Sequence, residues 1–126
     1  MIEAVYALPW PPSVNGYWRS VCRGKRPAQI LSERGRNFRL LAEQSIVFQG
    51  VREIRGDTEA LIVLHPPTRR RFDVDNYAKA ILDVLTHTGV LEDDAQIVRL
   101  VIEKGDRVKD GRADVRLIER GTNDNH

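Results

Sequence analysis

The sequence is short of the residues on which several functional classes depend. One cysteine, Cys22, in 126 residues cannot close an internal disulfide, which fits a reducing compartment and predicts a cytoplasmic protein. Together with three dispersed histidines, His65, His87 and His126, it offers no zinc-ligand spacing. The apolar runs, residues 61–64 and 81–82 among them, fall far short of the ~20 residues of a membrane span, so no membrane attachment is expected. The start MIEAVYALPW has neither a basic leader nor a small-residue cleavage site, and no signal peptide is expected. A P-loop and a Gly-rich dinucleotide motif are both absent, and no small-molecule cofactor is expected. Repeats and low-complexity blocks are absent too.

What is present is a globular composition, 41% hydrophobic and 30% charged, sized for one core. A single domain over residues 1–126 is expected, with 120–126 as a frayed polar tail. The net charge of +2 divides unevenly. Residues 1–55 hold nine basic and four acidic side chains, a net +5, and residues 56–126 hold eleven and fourteen, a net −3. Binding to nucleic acid is permitted by this distribution and not required by it.

Residues 3–8 are short, β-prone and closed by a proline, which predicts a first strand. Pro9, Pro11 and Pro12 then hold an extended loop, Asn15-Gly16 signals a turn, and Trp10 and Trp18 either stack on a ligand or cover the core. Residues 23–31 read as basic and irregular, the outer part of a hairpin, with Arg23, Lys25 and Arg26 as candidate phosphate contacts. Ser32 caps a predicted helix over 33–49, in which Phe38, Leu41, Ala42, Ser45 and Ile46 form the buried stripe. Arg34, Arg36 and Arg39 fall outside that stripe, and Gly35 loosens the first turn at a cost of about 1 kcal/mol relative to Ala. Residues 58–65 form an unbroken β-rich run, expected to be a central strand buried on both faces. A second helix is predicted from 75 or 76 to 88, with Ala78, Ile81, Leu82 and Leu85 inward and Gly89 at its end. Strands at 97–103 and 113–118, joined by a charged turn, complete the reading.

The chemistry concentrates in residues 69–96, RRRFDVDNYAKAILDVLTHTGVLEDDAQ. Three arginines, Arg69, Arg70 and Arg71, stand beside Asp73 and Asp75, and a second acidic group, Glu92, Asp93 and Asp94, follows the helix. Hard divalent ions are held by one or two carboxylates plus water and substrate phosphate. Asp73 and Asp75 at a strand-to-helix junction suit that role, and Asp94 joins them if the loop after Gly89 folds back. Lys79, one turn after Asp75, is placed to add positive charge at a scissile phosphate. Each feature also has a plain alternative: a helix cap, an i, i+4 ion pair, a solvated turn. An EF-hand is excluded, because Tyr77 and Ala78 stand where an acid and a glycine are needed.

LPWPPSVN near the N-terminus, followed by RRRFDVDNYAKAILDVLTHTGVLEDDAQIV, resembles the RusA family of Holliday junction resolvases, small endonucleases of phage and prophage origin. The resemblance spans roughly residues 5–105, with three separated motifs in order. It implies that Asp73, Asp75 and Asp94 are the metal-binding catalytic acids and Lys79 the catalytic lysine. It also implies that Asn76 shapes the helix start and that Asp93 takes a supporting part. It further implies Mg²⁺, with Mn²⁺ able to substitute, a homodimer, and four-way or branched DNA as partner in recombination and repair. The implied fold is α/β (α+β), a small mixed sheet of about four to five strands with two main helices packed on it, in agreement with the elements read above. Two departures stand out: Phe72 occupies a position where relatives carry another arginine, and Glu92 adds a carboxylate to the acidic loop. A branched-DNA-binding protein without cleavage, or a nuclease for other branched DNA, remains as alternative.

Overall fold

Burial alternates along residues 58–65, and that alternation sets the architecture. The computed structural model describes residues 2–120. In β4 (Thr58–His65), Thr58, Ala60, Ile62 and Leu64 are buried while Glu59, Leu61, Val63 and His65 are half-buried. The expectation of a strand buried on both faces is therefore corrected: one face is covered and the other is open. β4 is interior to a four-stranded sheet ordered β1 (Glu3–Leu8), β6 (Arg112–Glu119), β4, β5 (Ile97–Lys104). β6 lies antiparallel to both β1 and β4, and β5 lies parallel to β4 as the edge. The two strands joined by the charged turn are thus not paired with each other.

The helices α2 (Glu33–Gln49) and α3 (Ala78–His87) meet the covered face. Phe38, Ile46, Ile81 and Leu85 join Tyr6, Leu8, Ile62, Val115 and Leu117 in one apolar core. The open face carries ion pairs between strands: Arg116 with Glu3, and Glu59 with Arg99 and Arg120, both at 3.0 Å. Hydrogen bonds from Arg120 and Arg99 hold the Glu59 carboxyl below its ordinary range. Arg120 thereby belongs to the sheet's ion pairs, and the remainder of the expected tail lies outside the described residues.

Ser32 caps α2 as expected, its hydroxyl accepting the Gly35 N–H at 2.9 Å. The buried stripe differs in detail: Gly35, Phe38, Ala42 and Ile46 face inward, whereas Leu41 is 55% exposed. Leu40, Leu41, Val47 and Phe48 form a second apolar surface that faces solvent. Gly35 is no weak point. A Cβ there would collide with the carbonyl oxygen of Tyr17, so glycine is what lets the short helix α1 (Val14–Tyr17) dock on α2. Asn15-Gly16 falls inside α1, a single helical turn capped by Ser13. The segment read as irregular is half of an ordered hairpin, β2 (Trp18–Arg23) paired with β3 (Arg26–Leu31), turning on Gly24 with φ 66. α3 begins three residues late because residues 74–77 form a 3₁₀ turn, and its inward stripe is Ala80, Ile81, Val84 and Leu85.

Candidate functional site

Pro66 and Pro67 end β4, since neither can donate to the ladder, and the chain leaves the sheet carrying its arginines. Arg69, Arg70 and Arg71 are exposed and line a cleft of about 620 Å³ together with Lys104, Asp106 and Arg107. The cleft has a fixed floor. Gly105 donates to the Leu64 carbonyl at 2.8 Å, Val108 to Pro66 at 3.0 Å, and the Arg107 guanidinium to Pro67 at 3.3 Å. Lys104 and Arg107 were not among the sequence candidates, because nothing in a pattern of spacing links them to arginines more than thirty residues earlier. Arg23, Lys25 and Arg26 sit at the hairpin tip and line neither this cleft nor the next.

Phe72 has an evident task. Its ring meets Trp10 edge-on at 5.5 Å and Tyr77 edge-on at 5.4 Å, and Trp10 lies 5.1 Å from Tyr77. These aromatics bracket Asp73, Val74, Asp75 and Asn76 at both ends and seat the acidic turn on the core, with Trp10 and Trp18 both packed against it. Lys104 places its ammonium over the Phe72 ring, 4.6 Å from the centroid. Lys104 of β5 thus brings a positive charge next to the position one residue before Asp73. Asp73 and Asn76 line a second cleft, about 530 Å³, with Ser13, Arg71 and Lys104. The Asn76 N–H closes the 3₁₀ turn on the Asp73 carbonyl at 3.2 Å.

The acidic loop does fold back. At the end of α3, Gly89 at φ 87 donates to the Thr86 carbonyl at 3.1 Å and Val90 to Leu85 at 3.0 Å, the paired bonds of a Schellman stop. Val90 and Leu91 are then buried, and Asp93 caps a 3₁₀ turn, accepting the Ala95 N–H at 2.8 Å. Gln96 completes the capping box. Its carbonyl oxygen accepts from the backbone of Glu92 (2.9 Å) and Asp93 (3.2 Å), and its amide donates to Ile54 (2.8 Å), Gly56 (3.1 Å) and Thr58 Oγ1 (3.1 Å). This residue was missed in the sequence, although Asp-x-x-Gln is a capping-box spacing. Glu92 is exposed, held by its backbone alone.

So anchored, Asp94 lies 3.7 Å from the Lys79 ammonium. Lys79 makes no pair with Asp75 four residues earlier, because Asp75 belongs to the 3₁₀ turn outside α3. The start of α3 is thus approached by Asp73 and Asp75 from one side of the sequence and by Asp94 from the other. Among the described residues no three His, Cys, Asp or Glu side chains converge as a ready metal cage. The donor set nevertheless fits a hard cation, with three carboxylates and no sulfur or imidazole, and a cation bound at Asp94 would displace the Lys79 ammonium from it.

Behind Lys79 lies a network that the sequence did not announce. Tyr17 donates its hydroxyl to Asp83, and Arg39 donates to the same carboxylate oxygen at 2.6 Å, joining α1, α2 and α3. Arg39, read as solvated, is thus a structural ion-pair partner, held half-buried by Asp83 of α3. Burial, then the hydrogen bond with Asp83, raises the Tyr17 phenol well above its ordinary value. Burial works against Asp83 ionising, but the Tyr17 hydroxyl, Arg39 and the charge of Lys79 outweigh it and hold the carboxyl below its ordinary range.

The model of the RusA endodeoxyribonuclease family matches residues 9–118. A crossover junction endodeoxyribonuclease of Enterobacteria phage HK97 is 33% identical over 125 residues, covering 94% of this chain and 97% of the relative. That of Enterobacteria phage 82 is 35% identical over 118 residues, covering 90% and 92%. A third, from Shigella sonnei, is 35% identical over 116 residues with the same coverage.

Proposed function

The chain belongs to the RusA family of endodeoxyribonucleases, and from that premise we propose that it resolves four-way DNA junctions by paired symmetric nicks, in recombination and repair in the cytoplasm. The observation that carries the reading is the return of Asp94 to Lys79 beside the Asp73-x-Asp75 turn, at the edge of a cationic cleft. Asp73, Asp75 and Asp94 would hold Mg²⁺, with Mn²⁺ able to substitute. The ion would supply an activated water and charge neutralisation at the phosphorus. Arg69, Arg70 and Arg71, with Lys104 and Arg107 across the cleft, seat the phosphate backbone. The hairpin-tip cations Arg23, Lys25 and Arg26 reach DNA outside the cleft. Lys79 stabilises charge on the scissile phosphate or its leaving oxygen.

Two symmetric nicks need two sites, and the reading assigns them to a homodimer. The solvent-facing stripe of α2, on which Phe48 is 92% exposed and Val47 61%, supports a self-contact there.

The deciding experiment is cleavage of a labelled four-way junction with Mg²⁺ and with EDTA, wild type beside Asp75→Asn. Paired nicks requiring both the ion and Asp75, with junction binding retained or tightened in the variant, are expected. Wild-type cleavage by Asp75→Asn would overturn the site. Tight binding without nicks under any metal would favour a branched-DNA-binding protein, and preferential cutting of flaps would favour a nuclease for other branched DNA.

A further inference from the structure

A second groove adjoins the acidic turn. It has a volume of about 410 Å³, within the range of small-ligand clefts, and shares Ser13 and Tyr77 with the cleft that contains Asp73 and Asn76. Its walls are apolar, from Trp10, Pro11 and Phe38, while Arg34, Asn37 and Asp110 bring polar groups to it. Among the described residues none of these three side chains has a hydrogen-bond or ion-pair partner in the protein. All three are exposed, and the backbone beneath two of them is fixed. Asn37 sits one residue before the buried Phe38 on α2. Asp110 is held at φ 66, followed by Gly111 at φ 76, in a turn closed by the Gly111 N–H on Val108 at 2.9 Å. That turn lies hard against Trp10: a Cβ on Gly111 would come within 2.7 Å of the Trp10 Cβ.

We propose that this groove receives an unpaired nucleobase from the strand being cut. The base plane would lie against Trp10 and Tyr77, and its edge would be read by the Arg34 guanidinium, the Asn37 amide and the Asp110 carboxylate. The polar set matches that ligand. A nucleobase edge mixes donors and acceptors, and here a donor-only, an acceptor-only and a mixed group face one slot between apolar walls. A purely apolar ligand would leave three polar groups desolvated, and a phosphate would meet Asp110. The position matches as well, since Ser13 and Tyr77 place the slot beside the acids that act on the neighbouring phosphate. Bases at a branch point are the ones that unstack at least expense. The inference rests on the reading of the chain as a junction nuclease, and it makes the slot the sequence-selective part of an enzyme otherwise guided by DNA shape.

Two readouts test it. In the first, a four-way junction with 2-aminopurine at the branch point is titrated with wild type, Arg34→Ala and Asn37→Ala, in Ca²⁺ so that no cutting is needed. Wild type should change the probe's fluorescence, and the variants should lose that change while still binding the junction, because phosphate contacts dominate affinity. An unchanged signal with wild type, or an equal change with both variants, overturns the slot. In the second, junctions randomised at the branch are cut and the ends sequenced. Asn37→Asp should change which base is preferred, and Arg34→Ala should slow the preferred sequence about tenfold relative to the others. A wild-type preference kept by both, or a uniform slowing across sequences, overturns the slot while leaving the nuclease reading intact. An absence of cutting by wild type would fault that reading and leave the fluorescence result to decide the slot.

Discussion

Replacing Gln96 with alanine separates the acidic loop from its anchor without touching any of the acids. The side chain makes five hydrogen bonds, two of them part-buried, to the Ile54 carbonyl at 2.8 Å and Thr58 Oγ1 at 3.1 Å. Ile54 and Thr58 are fully buried, so their oxygens gain little from solvent in return. At a net ~1 kcal/mol for each part-buried bond and less for each exposed one, the loss of stability comes to about 3 kcal/mol. The effect on cleavage follows from position. With the Gln96 bonds gone and only the Asp93 cap left, Asp94 is no longer held to Lys79, and an ångström of misplacement lowers a rate by roughly 100-fold. Urea unfolding and single-turnover junction cleavage, at a temperature where the variant is folded, measure the two. Gln96→Glu should be the more damaging at neutral pH, since it sets a carboxylate against the oxygens of Ile54 and Gly56. The reasoning fails if Gln96→Ala loses the stability but cuts at the wild-type rate, because the site would then not depend on where this loop lies.

Lys79→Met removes a cation that competes for Asp94, so calorimetry should find Mg²⁺ or Mn²⁺ bound about fivefold more tightly, as a half-exposed pair worth about 1 kcal/mol implies, while cleavage falls. Weaker cation binding would show that the lysine supports the acids rather than competing with them. Gly35→Ala forces α1 off α2 and should cost about 1–3 kcal/mol in thermal or urea unfolding, with an unchanged midpoint refuting the close approach. The Asp83 carboxyl is depressed in the fold, so its contribution is present above its unfolded value of 3.8 and is lost as pH falls through the lower folded value. The stability gap between wild type and Asp83→Asn should therefore be full at pH 6 and narrow as pH falls below about 4, and a gap that does not change with pH would remove Asp83 from the ion pair.

The elements were legible wherever one local rule decided them. Ser32 as a cap, the strand ending at Pro66 and the stop at Gly89 each depend on a residue whose backbone preference leaves little choice. Of the site, the return of the acidic loop was legible on the same ground: the stop at Gly89 lets the chain fold back, and Asp94 comes to 3.7 Å from Lys79. What could not be read were choices made between elements. Periodicity marks Arg39 as polar, and only the arrival of Asp83 from α3 and Tyr17 from α1 makes an inward position favourable. It marks Leu41 as core, yet the covered stripe of α2 is the narrower line of Gly35, Phe38, Ala42 and Ile46, with Gly35 docked on α1. Lys104 and Arg107 join the arginine cleft only because β5 runs parallel to β4 and ends at the same level. The parallel pairing follows from the crossover through α3, which sequence reading placed without its partner.

That the acids stand apart has a physical reason of its own. Three carboxylates gathered without a counter-ion repel one another, and at the half-exposed start of α3 solvent offers an easy alternative to that repulsion. The fold resolves it by fixing the backbones and leaving the side chains free. Asp73 and Asp75 are seated by the ring cluster of Trp10, Phe72 and Tyr77, Asp94 by Gln96, and Lys79 covers the nearest charge.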